Sequence, residues 1–236
     1  AYPQTGIKAL FDESLRLLQN AGYKAITHGL SVHRQDLDSG THLRDVVKNS
    51  TPVAVDIGEL YQTRIKSISG EILNFATRLQ SKHTLDEESV EAVRNILVAD
   101  RQLVRTVKRM QPLHDNIVLF MTSGNIAIVS EYNRIRRRIL KAMREIHRAS
   151  ESESPLRHIR KLERLRTKAS DLDVLASGRV SELLLKGEIS QVMATSLIND
   201  SEQASKIVHS LIDIATLLYY PKDRLVARLE EQRLTG

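Results

Sequence analysis

The sequence has no cysteine and no tryptophan in 236 residues. The missing thiols exclude a disulfide scaffold, a thiolate zinc site and a cysteine nucleophile together. They also suit a reducing compartment. Glycine and proline are scarce, at 10 and 5 residues, and aromatic residues reach only 4%. Sheet proteins need more turns and more aromatics than this, so helices are the expected architecture. Long apolar runs are missing as well. The longest, Ile117 to Met121, falls far short of the roughly 20 residues that a membrane-spanning helix requires. No signal peptide is read at the N-terminus. The chain begins at Ala1 without an initiator Met, which leads us to expect a fragment or a processed product.

What is present is ordinary for a globular chain. Apolar residues make up 41% and charged residues 27%, and the length is enough to bury a core without metals or disulfides. The formal charge of +6 is unevenly placed. Residues 134–168 hold thirteen Lys or Arg against four Glu, so this window carries +9 and the remainder −3.

Apolar spacing at helical period sets the expected elements. Ile7, Leu10, Leu17, Leu18, Ala21 and Ala25 predict a helix over 7–30. Residues 31–50 are polar and read as a loop holding one short helical turn. Thr51 and Pro52 suit a helix start, and Ile57 through Leu79 form one stripe to about residue 81. Thr84 and Glu87 have the spacing of a capping box and would open the next helix. Pro112 is expected to kink or end it, although the stripe continues through Leu113, Ile117 and Phe120. Short strands at 52–57, 116–121 and 125–130 are alternatives by propensity, with helix preferred.

Ser123, Gly124 and Asn125 mark a turn. Residues 126–149 are then strongly amphipathic. Ile135, Ile139, Ala142, Met143 and Ile146 take one face, and Arg134, Arg137, Arg138, Lys141, Arg144 and Arg148 the other. Glu151 to Ser154 read as a linker, and Ser154 as the cap of a helix that starts at Pro155 and runs to about Lys186, with Gly187 as its C-cap. A last helix is expected over about 188–220, ended or kinked by Pro221 and followed by a short amphipathic tail. The predicted fold is all-α, six to seven helices in one or more antiparallel bundles. The expected parts are an N-terminal helix and loop (1–50), a first bundle (51–150) and a second helical part packed on it (151–236).

Motifs that carry chemistry are missing. Neither a glycine-rich phosphate loop nor an HExxH or GxSxG motif occurs. No two of the eight histidines have the three- or four-residue spacing that one helix face needs for a metal. The chain reads as non-enzymatic, with no cofactor and no metal site.

Three carboxylates stand out. Asp200 falls on the stripe Met193, Leu197, Ala204, Ile207, Leu211; Asp100 interrupts Ile96, Leu97, Leu103, Val107; and Asp173 lies at a stripe edge. A buried carboxylate needs a partner. The plain reading is an inter-helix bond that fixes register, and the sharper one is a polar core site that senses an ion. The basic stretch 134–168 has three readings: a solvated helix face, docking to an anionic membrane surface, and nucleic-acid binding. The last is disfavoured, because only Tyr132 is nearby as an aromatic and no recognisable module accompanies the charge.

Glu131 to Ile139, EYNRIRRRI, and Ala194 to Ala204, ATSLINDSEQA, resemble motifs in the cytosolic region of bacterial sodium/phosphate (Na/Pi) cotransporters, as does Asp56 to Gln80. The resemblance covers most of the chain from residue 55 onward, in the family's order. It implies a soluble region related to the phosphate-uptake regulator (PhoU) fold, attached to a membrane transport unit of the same polypeptide, on the cytoplasmic side of the inner membrane. A homodimer is a further partner to consider. The resemblance draws attention to Asn199, Asp200 and Ser201. PhoU proteins hold metal clusters through repeated acidic motifs. Here only Glu87 and Glu91 have that spacing, in a first helical turn where helix-dipole and cap chemistry accounts for them, so metal binding is not carried over. The implied function is a regulatory or assembly domain of a sodium-dependent phosphate transporter. A free-standing PhoU-like signalling adaptor and a basic helical nucleic-acid binder remain the alternatives.

Overall fold

Helices that are apolar on one stripe are stable only when they bury that stripe on one another. The computed structural model of the chain follows this rule. It describes residues 3–152 and 155–219, and the side chains of 155, 156, 170 and 172 lie outside the description.

Nine helices occur among the described residues, counting a run interrupted only by a π turn as one. Helix α1 comprises Pro3–Leu17, a π turn at Leu18–Gly22, and Tyr23–Gly29. Two short helices follow, α2 at Gln35–Asp38 and α3 at Leu43–Asn49. Helix α4 comprises Ile57–Leu60, a π turn at Tyr61–Ile65, and Lys66–Lys82. The long helices α5 and α6 are Glu87–Met121 and Ile126–Glu151. Then come α7 at Pro155–Thr167, a 3-10 turn at Ala169–Leu172, α8 at Arg179–Leu185, and α9 at Gln191–Tyr219. No strand occurs among the described residues. The chain is all-α as expected, with more helices than the expected six or seven.

Helix α5 is the centre. It makes its broadest contact with α9, and α1, α4 and α6 also pack on it. Asn116 reaches Asp200 while Arg109 reaches Ser210, so α5 and α9 run antiparallel. Helix α6 packs on α9 and α7, and also on α2 and α3. Val93, Ile96, Leu103, Val107, Met110, Leu113 and Ile117 of α5 are all buried. At roughly 1.5–3 kcal/mol for each fully buried large apolar side chain, this stripe explains why α5 runs on through Pro112. That proline is exposed. It forgoes one backbone hydrogen bond, and the buried residues on both sides hold the helix together.

Several expected boundaries move. Helix α4 starts at Ile57, not near Pro52, because Asp56 Oδ1 accepts from Glu59 N at 2.7 Å and caps it. Helix α5 is capped by Asp86, whose Oδ1 accepts from Ser89 N at 2.8 Å, and not by Thr84. Residues 31–50 hold two short helices instead of one turn. The expected helix to Lys186 breaks after Thr167. Asp173 there turns its carboxylate to Leu175 N and Ala176 N at 3.0 and 2.9 Å, and Gly178 adopts φ +72°. Asp173 is therefore an exposed turn-former and not a stripe residue. Gly187 ends α8 with φ +67°, as its position suggests. Ser154, Pro221 and the tail beyond lie outside the described residues.

Gly29 lets α1 approach α4 and α5 closely. A Cβ at Gly29 would sit 2.8 Å from Met110 Cε and 3.1 Å from Ile57 Cδ1. Gly29→Val is expected to cost about 1–3 kcal/mol through overpacking, read as a lowered midpoint in chemical denaturation. An unchanged midpoint would mean that the contact yields easily.

Candidate functional site

Helix α6 organises the polar chemistry of the molecule. Gly124, at φ +71°, reverses the chain, and Asn125 Oδ1 caps α6 by accepting from Ile128 N at 3.0 Å. Ile128, Tyr132, Ile135, Ile139, Met143 and Ile146 then face the core. Polar side chains leave the helix in three directions from this stripe.

Toward α9, the Tyr132 hydroxyl donates to Asp200 Oδ2 at 2.5 Å, and Asn116 Nδ2 donates to the same oxygen at 2.9 Å. Tyr132 is fully buried and Asp200 is 3% exposed. No cation pairs with this carboxylate among the described residues. Burial raises its pKa above the ordinary value, while the two donors pull the other way. The same burial, with Asp200 alongside, raises the Tyr132 pKa. Asn199 is exposed. Ser201 is buried and turns its hydroxyl to Ile198 O at 2.9 Å. Of the three neighbours in the last helix, only Asp200 enters the polar node.

Toward the N-terminal third, Arg136 is completely buried. Its Nε donates to Leu30 O at 2.7 Å, Nη1 to Val47 O at 2.8 Å and Asn133 Oδ1 at 2.7 Å, and Nη2 to Ser31 O at 3.2 Å and to Ser50 Oγ. Apart from Asn133 on α6 itself, these acceptors cluster at the C-terminal ends of α1 and α3, where helix dipoles leave partial negative charge. Ser31, at φ 52°, turns its carbonyl into the cluster. Burial pushes Arg136 down to about 10, so it stays charged at neutral pH. Arg144 acts likewise on α2 and the turn after it, donating to Leu37 O, Thr41 O and Asp36 O at 3.1, 3.0 and 2.7 Å. The sequence pattern assigned Arg144 to the outer face, but it is 9% exposed. The reason is that residues 35–44 fold over it. Arg136 is a residue the pattern missed. A signal existed, because Arg136 lies four residues beyond Tyr132 and three before Ile139, inside the apolar stripe.

Toward solvent, Arg134, Arg137 and Arg138 do come together. They line a groove of about 620 Å³ with Lys141, Arg144 and Arg148 of α6, and with His42 and Arg44 from the turn before α3 and its start. Arg134 contacts Asp171 O and lies 3.6 Å from Glu131, while Arg138 is 3.9 Å from Asp171. Glu131 is itself 4% exposed and held by Arg179 Nε at 2.8 Å, which ties α6 to α8.

Asp100 stands apart, on the α4–α5 seam. Ser69 Oγ donates to its Oδ2 at 2.5 Å, and its buried Oδ1 finds no hydrogen-bond partner among the described residues. Burial raises its pKa and the Ser69 bond opposes this.

No helix among the described residues is long and apolar enough to cross a membrane. No protein-family model matches the chain, and no curated protein or solved structure is significantly similar to it.

Proposed function

We propose that the chain is a regulatory or assembly domain beneath a sodium-dependent phosphate transport unit, on the cytoplasmic side of a bacterial inner membrane. The observation that carries this reading is the meeting of the two family-like motifs. Tyr132 belongs to Glu131–Ile139 and Asp200 to Ala194–Ala204, and their side chains share a buried 2.5 Å hydrogen bond. Arg136 of the first motif pins the N-terminal third. Tyr132, Arg136 and Asp200 of the two motifs thus join α6 to α9 and to the N-terminal third, which supports reading the motifs as parts of one scaffold. The chain carries no catalytic set in this reading. It acts by presenting surfaces to the transport unit, to a second copy, or to the anionic membrane face.

Deleting the region from the full transporter is expected to change sodium-dependent phosphate flux, or its response to external phosphate. Flux that matches the intact protein at every phosphate level would count heavily against a regulatory role.

A further inference from the structure

The groove beside α6 concentrates the charge of the molecule. Its lining holds seven cationic side chains (Arg44, Arg134, Arg137, Arg138, Lys141, Arg144 and Arg148) against one carboxylate, Glu145, a net of +6 with His42 neutral. The whole chain also sums to +6, so the rest of the sequence is balanced. Glu145 does little to neutralise the groove, because His158 at 2.6 Å and Lys161 at 3.2 Å already hold it. Arg148 lies 3.7 Å from it. Arg44, Arg137 and Lys141 have no carboxylate partner among the described residues.

The rest of the surface is built differently. Lys8–Asp12, Arg16–Glu13, Arg166–Glu163, Lys186–Glu182 and Lys206–Glu202 pair cations with acids one helical turn away. Along α6 such pairs are looser, Arg134–Glu131 at 3.6 Å and Arg148–Glu145 at 3.7 Å, and Arg134, Arg137, Arg138 and Lys141 stand cation next to cation. Burial pushes the Arg138 pKa down, and Arg134 and Arg137 push it further, with only Asp171 opposing. Like charges at helical spacing are destabilising, and an anion in the groove would relieve them.

We infer that this groove binds an anion bearing several clustered phosphate groups. Four arginines of α6 (Arg134, Arg137, Arg138 and Arg148) and Arg44 of α3 supply planar forks that match phosphate oxygens, while Arg144 is held by backbone carbonyls at the groove floor. From Arg134 to Arg148 the helix rises about 21 Å, more than one orthophosphate can bridge. The cations line a groove between α6 and residues 40–44, with Arg44, Lys141 and Arg148 exposed along its edge. A soluble oligophosphate and a phosphorylated lipid headgroup share this chemistry, and duplex nucleic acid is the rival ligand. The inference stands apart from the transport reading, since binding is measured on this chain alone and flux is not.

Calorimetric titration of the chain with tripolyphosphate at physiological ionic strength tests it, with orthophosphate and duplex DNA as comparisons. Tripolyphosphate is expected to bind at least about tenfold more tightly than orthophosphate and to weaken as salt rises. Arg137→Glu with Lys141→Glu is expected to lower that affinity by at least about tenfold. Both side chains lie outside the core, so an unchanged melting temperature would show that the fold is intact. Flotation with vesicles containing phosphatidylinositol bisphosphate separates the sources. Vesicle binding that tripolyphosphate displaces assigns the groove to a headgroup, and tripolyphosphate binding without flotation assigns it to a soluble anion. The inference is overturned if neither ligand binds, if binding ignores the double substitution, or if DNA binds more tightly than tripolyphosphate.

Discussion

Arg136→Ala is expected to lower stability by about 3–5 kcal/mol, because several buried acceptors lose a charged donor and a large side chain leaves a cavity. The guanidinium is fully buried and donates to three backbone carbonyls, an amide oxygen and a hydroxyl. Alanine would leave Leu30 O, Ser31 O and Val47 O without that donor, inside a cavity the size of the lost side chain. Each orphaned acceptor costs about 1–3 kcal/mol, and the costs do not simply add. For a chain of this size the melting temperature should fall by roughly 10 °C. The damage should also be local. Hydrogen exchange ought to rise first in residues 30–50, which Arg136 and Arg144 pin to α6. Arg136→Lys keeps the charge but loses the fork, so it should recover only part of the loss. If Arg136→Ala melted within about 2 °C of the parent, the bonds to the ends of α1 and α3 would carry no net weight.

This arginine also marks where sequence pattern stops being informative. The period of the apolar stripes gave the long helices, because burial of a stripe is a local property of spacing. The spacing predicts α6 over 126–149, and it is Ile126–Glu151; it predicts α9 near 188–220, and it is Gln191–Tyr219. Asp200 and Asp100 were legible for the same reason, as carboxylates interrupting stripes, and both are buried. The partners were not legible. Tyr132 and Asn116 lie 68 and 84 residues from Asp200, and nothing local encodes that distance. Arg144 was placed in solvent because the wheel of α6 does not include the segment folded over it. The competing caps at Asp56 and Asp86 won over Thr51–Pro52 and Thr84 because each aspartate oxygen reaches the backbone amide three residues on. The clustering of Arg134, Arg137 and Arg138 was legible from helix period alone. That they form a groove depends on Arg44 and His42, which no local pattern joins to them.

Asp200 should separate the value of hydrogen bonding from the cost of charge. Asp200→Ala leaves the Tyr132 hydroxyl and Asn116 Nδ2 without their shared acceptor, and a loss of about 3 kcal/mol is expected from two stranded donors in a buried site. Asp200→Asn keeps an oxygen for Tyr132 and removes the buried charge, so at neutral pH it should stay within about 1 kcal/mol of the parent. The pH dependence distinguishes them further. Burial raises the Asp200 pKa above its ordinary 3.8, against the pull of Tyr132 and Asn116. Below the unfolded value, both states hold the proton. As pH rises between the unfolded and folded values, the unfolded chain sheds its proton first. Stability contributed by this group therefore falls across that window and stays low above it. Asp100 is raised in the same direction, so the Asn variant should retain part of the slope. The difference between parent and Asp200→Asn, followed by denaturation from acid to neutral pH, is expected to grow in favour of Asn as pH rises. A constant difference would mean that Asp200 titrates in the folded state as it does unfolded. If Asp200→Ala proved as stable as Asp200→Asn, the Tyr132–Asp200–Asn116 node would be a contact without energetic weight, and the meeting of the two motifs would lose its force as an argument for their shared role.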